Sequence, residues 1–205
     1  MAADLSFQHV FEPAAGSPPP LLLLHGTGGD EYDLLPLGRL VAPGAPLLAP
    51  HGKVIENGMP RFFRRLREGV FDEDDVRVRA NELADFALEA RRTYNLAPLI
   101  ALGFSNGANI AAAVLLLRPE TLAGAVLLRA MVPLSSERGG ETLAGKPLLI
   151  VSGAYDPIAS PENAGRLAAM LAARGADVRH QTIRASHGIT QQDVELSAAF
   201  FETLR

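Results

Sequence analysis

A serine between two glycines is the first feature of this sequence that could act as a nucleophile. Residues 103–107 match the pattern G-x-S-x-G, in which a sharp strand-to-helix turn exposes the hydroxyl of the central residue, here Ser105. The short pattern is weak on its own, but an apolar run at 99–103 enters it and a nearly apolar run at 110–117 leaves it. That context favours a nucleophile over the alternative, an ordinary strand-to-helix turn with a capping serine.

The sequence also offers a base and an acid in the order serine, acid, histidine. A serine hydroxyl is a weak nucleophile near neutral pH, so it needs a base, and the base needs an orienting carboxylate. Asp156 follows the apolar run 148–151, and His187 follows the alternating segment 178–183. In open α/β sheets, catalytic groups gather at the carboxyl ends of strands. We therefore predict that Ser105, Asp156 and His187 form a catalytic triad.

The other histidines and carboxylates fit the two partner roles less well. His25 ends an apolar run beside a glycine-rich loop, where its imidazole is expected to hydrogen-bond the loop backbone. His51 is expected to be structural, with a place in a pocket wall as the open alternative. Asp177 precedes a strand, and Asp193 stands in the first turn of a helix, where a carboxylate interacts favourably with the helix dipole.

The glycine-rich loop at 26–29 could bind a developing negative charge. Proteins with a nucleophile elbow bind the oxyanion with the N–H after the nucleophile and with another N–H from an early loop of this kind. We therefore predict the backbone N–H groups of Thr27 and Asn106 as oxyanion donors. A phosphate-binding loop is disfavoured, because Glu31 stands where G-x-G-x-x-G requires its third glycine and no Gly-Lys-Ser/Thr follows.

Short apolar runs alternate with helical patterns along the chain. The runs lie at 21–24, 46–49, 99–103, 125–128 and 147–151, with alternating segments at 6–11 and 178–183 that could flank a sheet. Helical patterns lie at 77–94, 106–117, 161–174 and 191–204. This alternation predicts an α/β fold with a mostly parallel sheet of about seven strands and helices on both faces. The segment 51–75 fits no strand and is predicted to be a small cap or pocket-lining insertion.

The composition indicates one domain over residues 1–205 and excludes several function classes. The 205 residues are 48% hydrophobic and 20% charged, which is enough apolar content for a sizeable core. The net charge of −4 argues against nucleic-acid and membrane partners, and the absence of cysteine excludes disulfides and a thiol nucleophile. No histidine pair has metal-ligand spacing, so no metal is predicted. Without a signal-peptide pattern or a membrane-spanning run, we expect a cytoplasmic protein.

Beyond the elbow, the sequence resembles the phospholipase/carboxylesterase family of α/β-hydrolases, which includes acyl-protein thioesterase-like enzymes. Within that family it is most similar to the bacterial carboxylesterases linked to hydroquinone resistance. Two similar strings are fairly specific, Gly-Phe-Ser-Asn-Gly-Ala-Asn-Ile-Ala at 103–111 and Arg-Ala-Met at 129–131. The similar strings span nearly the whole chain and lie at 24–31, 61–63, 69–72, 103–111, 129–133 and 186–190.

The resemblance implies the α/β-hydrolase fold, the triad and oxyanion donors named above, no cofactor, and a small-molecule ester substrate. The implied activity is that of a serine carboxylesterase acting on short- to medium-chain esters. Thr27 and Asn106 stand where the better-known thioesterases carry Leu and Gln, which disfavours long-chain and acyl-protein substrates. The alternatives are a thioesterase or lysophospholipase on the same triad and a ligand-binding protein without activity. A homodimer stays an open possibility.

Aromatic and basic side chains near the predicted cap are candidates for the pocket. Arg61, Arg64 and Arg65 could attract an acidic substrate, but we expect them to form a solvated face of the cap. Partly by resemblance, and with burial in the core as the even alternative, the expected substrate-binding residues are Phe62, Phe63, Phe71 and Met131.

Overall fold

Strands and helices alternate along the chain in the computed structural model, which describes residues 5–16, 18–135 and 142–204. The strands are β1 (His9–Glu12), β2 (Leu21–Leu24), β3 (Leu47–Pro50), β4 (Val54–Glu56), β5 (Met59–Arg61), β6 (Arg65–Arg67), β7 (Val70–Phe71), β8 (Leu99–Phe104), β9 (Leu122–Leu128), β10 (Pro147–Gly153) and β11 (Asp177–Ile183). The helices are α1 (Leu35–Val41), α2 (Glu73–Thr93), α3 (Asn106–Leu117), α4 (Pro161–Ala173) and α5 (Gln191–Glu202), with a 3-10 turn at Pro119–Thr121.

Seven of these strands form one sheet in the order β1-β3-β2-β8-β9-β10-β11. Only β1 runs antiparallel, where it pairs with β3 at one edge. The other neighbouring pairs are parallel. Every residue of β2 is buried, because helices cover both faces of a parallel sheet and leave no polar side. The predicted mostly parallel sheet of about seven strands is confirmed.

Helices cover both faces of the sheet, as predicted. The core on one face includes α2, α3 and α4, and the core on the other includes α1 and α5. Helix α2 begins at Glu73 rather than at residue 77, because the Asp72 carboxylate accepts a hydrogen bond from Asp75 N (3.2 Å) and caps the helix. Helix α4 begins as expected, with Ser160 Oγ accepting from Asn163 N.

The segment expected to fit no strand contains two short hairpins, so that part of the prediction is wrong. Strands β4 and β5 pair antiparallel, as do β6 and β7. The first hairpin turns at Asn57 and Gly58, both with positive φ (52° and 77°), and the second turns at Gly69 (φ 72°). An Asn-Gly pair favours the tight turn of a hairpin. The strands of only two or three residues show too little alternation for the sequence to reveal them.

Two classes of feature are absent from the described residues. No helix among them is long and apolar enough to cross a membrane. Nor do they contain a group of three or more histidine or carboxylate side chains that could hold a metal ion.

Candidate active site

Ser105 lies at a sharp turn between the end of β8 and the first residue of α3. Its backbone is in the left-handed region (φ 51°), a strained conformation that projects the side chain above the sheet. The turn also requires Gly107, because a Cβ atom there would lie 1.9 Å from the carbonyl oxygen of Leu24. The turn therefore has the geometry of a nucleophile elbow.

Two hydrogen bonds connect the serine to the predicted base and acid. His187 Nε2 lies 2.9 Å from Ser105 Oγ, and His187 Nδ1 lies 2.8 Å from Asp156 Oδ2. The Asp156 side chain is fully buried, and its other oxygen accepts from the backbone N–H groups of Ile158 (2.8 Å) and Ala159 (3.0 Å). These bonds fix the carboxylate, so its remaining oxygen holds the imidazole in one orientation.

A buried arginine supports the loop that carries the histidine. Arg129 has no solvent exposure, and its guanidinium donates to the carbonyl oxygens of Ser186 (2.9 Å) and Gly188 (2.9 Å), on either side of His187. The same guanidinium makes a two-pronged ion pair with Asp193 at 2.7 and 2.9 Å. Sequence reasoning missed this pair, which joins residues 64 positions apart; its only signals were the Arg-Ala-Met string and an aspartate attributed to the helix dipole.

The two predicted oxyanion donors line the same cavity as the serine. Asn106 is the first residue of α3, where a backbone N–H has no carbonyl partner within the helix. The loop of Thr27 is held by the β4–β5 hairpin: Gly28 N donates to Pro60 O (2.9 Å), and Arg61 Nη1 donates to Thr27 Oγ1 (2.7 Å). The hairpin therefore supports the loop beside the serine.

Two histidines, His25 and His51, pack against each other next to that loop. His25 is buried, donates from Nδ1 to Gly26 O (2.7 Å) and accepts at Nε2 from Gly52 N (2.9 Å), as its predicted structural role requires. Burial lowers the pKa of His25, which favours the neutral imidazole. His51 Nδ1 lies 2.6 Å from the Glu31 carboxylate. Burial acts to raise the pKa of Glu31, but hydrogen bonds, including the one from His51, lower it overall.

A cavity of about 330 Å³ opens above the serine. Predicted pocket residues Phe71 and Met131 line it, whereas Phe62 and Phe63 do not. Phe62 and Phe63 are buried in the core, and Phe62 contributes only its backbone N–H, which donates to Asn106 Oδ1 (2.7 Å). The remaining lining residues are Thr27, Arg61, Arg65, Glu68, Gly69, Phe104, Ser105, Asn106, Asn109, Arg129, Ile158, Ala159 and His187.

Comparisons with known proteins agree with this fold. The chain is 46% identical over 199 residues to the Bacillus subtilis (strain 168) protein named "Putative hydrolase MhqD", covering 95% of this chain and 98% of the relative. The chain belongs to the phospholipase/carboxylesterase type of α/β-hydrolases. No protein-family model matches this hydrolase.

Solved structures of carboxylesterases share the fold of this hydrolase. The Bacillus cereus carboxylesterase superposes with a TM-score of 0.95 at 42% identity, over 99% of this chain and 97% of that one. The carboxylesterase from Mesorhizobium loti superposes with a TM-score of 0.91 at 32% identity, over 98% of this chain and 96% of that one. The chain is therefore a hydrolase of the carboxylesterase type.

Two of the three basic residues of this hydrolase near the cavity do not form the solvated face that was expected for them. Arg64 is exposed, as expected, with 61% of its side chain accessible. Arg61 is only 3% accessible, and both Arg61 and Arg65 line the cavity. The expectation is wrong for these two residues because the β4–β5 and β6–β7 hairpins fold over the site and turn both side chains toward it.

Proposed function

We propose that this hydrolase cleaves short- to medium-chain carboxylic esters through an acyl-enzyme on Ser105. The observation that carries the proposal is the hydrogen-bonded chain from Ser105 Oγ through His187 to Asp156, with distances of 2.9 and 2.8 Å. Both distances lie within the range needed for direct proton transfer between a nucleophile and its base. The carboxylate stabilises the imidazolium that forms when the serine proton is transferred.

The reaction proceeds in two steps that use the same groups. Ser105 attacks the ester carbonyl while His187 Nε2 accepts the hydroxyl proton, and the N–H groups of Thr27 and Asn106 bind the oxyanion. His187 then donates that proton to the departing alcohol, which leaves the acyl group on the serine. A water molecule activated by the same imidazole hydrolyses the acyl-enzyme and restores the free serine.

The size of the cavity supports short acyl groups. At about 330 Å³, it lies near the lower limit of pockets that bind drug-sized ligands, roughly 300–1,000 Å³. The apolar part of the cavity wall is formed by Phe71, Met131 and Ile158, so an acyl chain of a few carbons can be buried there. A long acyl chain would have to pass Gly69 and Phe71 into a neighbouring groove of about 550 Å³ that is more open to solvent, where burial of the chain stabilises less.

The test is hydrolysis of a p-nitrophenyl ester series from acetate to palmitate by the wild-type protein and by Ser105→Ala. We expect maximal kcat/KM at short or medium chains and complete loss of turnover in the variant. Matched thioesters, measured in parallel, separate a carboxylesterase from a thioesterase. Equal rates for wild type and Ser105→Ala would refute the role of the serine, and a maximum at palmitate would refute the chain length.

A further inference from the structure

Within the described ranges, three arginines line the cavity, and two of them, Arg61 and Arg65, share the carboxylate of Glu56. Arg65 Nε donates to Glu56 Oε1 (2.7 Å), and Arg61 Nε lies 3.6 Å from Glu56 Oε2. Arg129 also reaches the cavity, but Asp193 neutralises its charge. Arg61 and Arg65 against Glu56 leave one positive charge at the hairpin side of the cavity. The Asp156 carboxylate of the site is fully buried and lies on the far side of His187 from Ser105. Glu68 also lines the cavity, but it is exposed, and solvent and salt screen its charge.

Arg61 carries a charge into a buried position without a full set of partners. Its Nε donates to Phe63 O (3.1 Å) and its Nη1 donates to Thr27 Oγ1 (2.7 Å). No hydrogen bond from its Nη2 occurs within the described part of the chain, and Nη2 is not among the buried atoms that lack a partner, so it stays accessible from the cavity. Burial lowers the pKa of Arg61 while the charge of Glu56 opposes that shift, and arginine stays protonated at neutral pH. Glu56, 3.6 Å from Arg61 Nε, offsets part of the cost of desolvating this charge, and an anion bound in the cavity would offset more of it.

Another donor on the cavity wall also lacks an acceptor. The amide of Asn106 is oriented by its Oδ1, which accepts from Phe62 N (2.7 Å). This leaves Asn106 Nδ2 buried, and no acceptor for it occurs in the ranges 5–16, 18–135 and 142–204. Buried polar groups in native proteins are normally paired, so this unpaired amide is an unusual polar group next to the nucleophile.

We propose that the cavity binds esters that carry a carboxylate, and that Arg61 and Arg65 bind this carboxylate. A carboxylate offers two acceptor oxygens in the geometry that guanidinium groups bind best. Its single negative charge matches the one positive charge that Arg61 and Arg65 leave beside Glu56. The substrates of this class are half-esters of short dicarboxylic acids and acyl esters of short hydroxy acids. The inference rests on the proposed esterase function.

The experiment compares carboxylated esters with neutral esters of similar size, with acid release followed by titration at constant pH. Monoethyl succinate is paired with ethyl butyrate, and acetoxyacetate is paired with propyl acetate, so the carboxylate is placed on the acyl side and on the alcohol side in turn. We expect the wild-type kcat/KM for one carboxylated ester to exceed that of its neutral partner by about tenfold or more for each of the two arginines, the range of one charge-assisted hydrogen bond.

Three variants assign that preference to the arginines. Arg61→Gln and Arg65→Gln are expected to reduce the ratio of carboxylated to neutral kcat/KM by about tenfold each, because each removes a charge-assisted hydrogen bond. Arg65→Gln is the safer variant, since Arg61 also supports Thr27 and its loss lowers turnover of both esters. The control is Arg64→Gln, which removes an exposed charge from the same segment and is expected to leave the ratio unchanged.

The outcomes separate this inference from the proposed function. Efficient hydrolysis of the neutral esters without a carboxylate preference overturns the inference and leaves the esterase proposal standing. A preference that Arg61→Gln and Arg65→Gln do not reduce also overturns it, and so does a parallel loss on both substrates in both variants. Failure of every ester, with no labelling of Ser105 by a fluorophosphonate, overturns the proposed function itself.

Discussion

Replacing Arg129 with Met removes the guanidinium that holds the loop of His187. The replacement fills a similar volume but leaves the Asp193 carboxylate buried without its cation, and neither side chain of the pair has any solvent exposure. Breaking a buried ion pair in this way costs about 3–5 kcal/mol. In a protein of this size, 1 kcal/mol corresponds to roughly 2–4 °C in Tm, so we expect a decrease of about 6–20 °C.

Arg129→Met also tests positioning, because the carbonyl groups of Ser186 and Gly188 lose their donors at the same time. The double variant Arg129→Met/Asp193→Asn contains no unpaired charge, and Asn can still accept from the backbone of Thr190 to cap α5. We expect the double variant to recover at least 1 kcal/mol relative to the sum of the single variants. Its kcat should stay about 10²-fold below wild type, the order of loss caused by a small displacement of a catalytic group.

The assay combines thermal and urea unfolding with kcat on a p-nitrophenyl ester for the wild type, both single variants and the double variant. Arg39→Met is the control for loss of an exposed ion pair, since Arg39 and Glu12 are 57% and 31% accessible, and it should cost less than about 1 kcal/mol. Recovery of kcat together with stability in the double variant would refute the positioning role. By the conversion of roughly 2–4 °C per kcal/mol, a Tm of Arg129→Met within about 2 °C of the wild type would mean a loss of no more than about 1 kcal/mol and would refute the energetic reasoning.

The remaining predictions concern the acid, the elbow and the pH dependence of stability. Asp156→Asn should keep the fold but lower kcat about 10⁴-fold through the wrong imidazole tautomer, and a loss below tenfold would assign the acid role elsewhere. Gly107→Ala should give little folded protein, because its Cβ would overlap the backbone of Leu24, whereas Gly188→Ala meets nothing within 4 Å and should express normally. Stability should fall as the pH drops below 6.5, because the pKa of buried His25 is lowered in the folded protein and the unfolded chain therefore binds the proton more readily. Urea unfolding of His25→Asn between pH 5 and 6.5 should show a weaker dependence of the unfolding free energy on pH than the wild type. An unchanged dependence would assign the effect to another group.

The sheet and the elbow could be predicted because their signals are local. The run that became β8 and the apolar stretch that became α3 flank Ser105 directly, so a few consecutive residues specify strand, turn and helix. The N-terminus of α4 could be predicted in the same way. Ser160 is the helix cap and Pro161 is a first-turn residue, and both have little choice of conformation. Asp156 and His187 could be assigned because each follows the carboxyl end of a predicted strand, in the chain order serine, acid, histidine.

The parts of the site that escaped prediction depend on contacts between distant segments. Phe62 and Arg61 are neighbours in a short strand-like segment, yet the ring enters the core and the guanidinium faces the cavity. A hydrophobicity pattern of two or three residues cannot decide which side of a hairpin faces inward. The pairing of Arg129 with Asp193 is equally non-local, because the sheet brings together the end of β9 and the first turn of α5.

Peptide mass mapping after treatment with a fluorophosphonate examines the identity of the nucleophile without any assumption about the substrate. The geometry predicts one adduct per chain, on Ser105, because among the residues that the structure describes only this hydroxyl has a base at 2.9 Å that is itself oriented by a buried carboxylate. His187→Ala should slow the labelling strongly, and Ser105→Ala should abolish it. An adduct on another serine, or a folded wild-type protein that stays unlabelled, would contradict the assignment of Ser105 as the catalytic nucleophile.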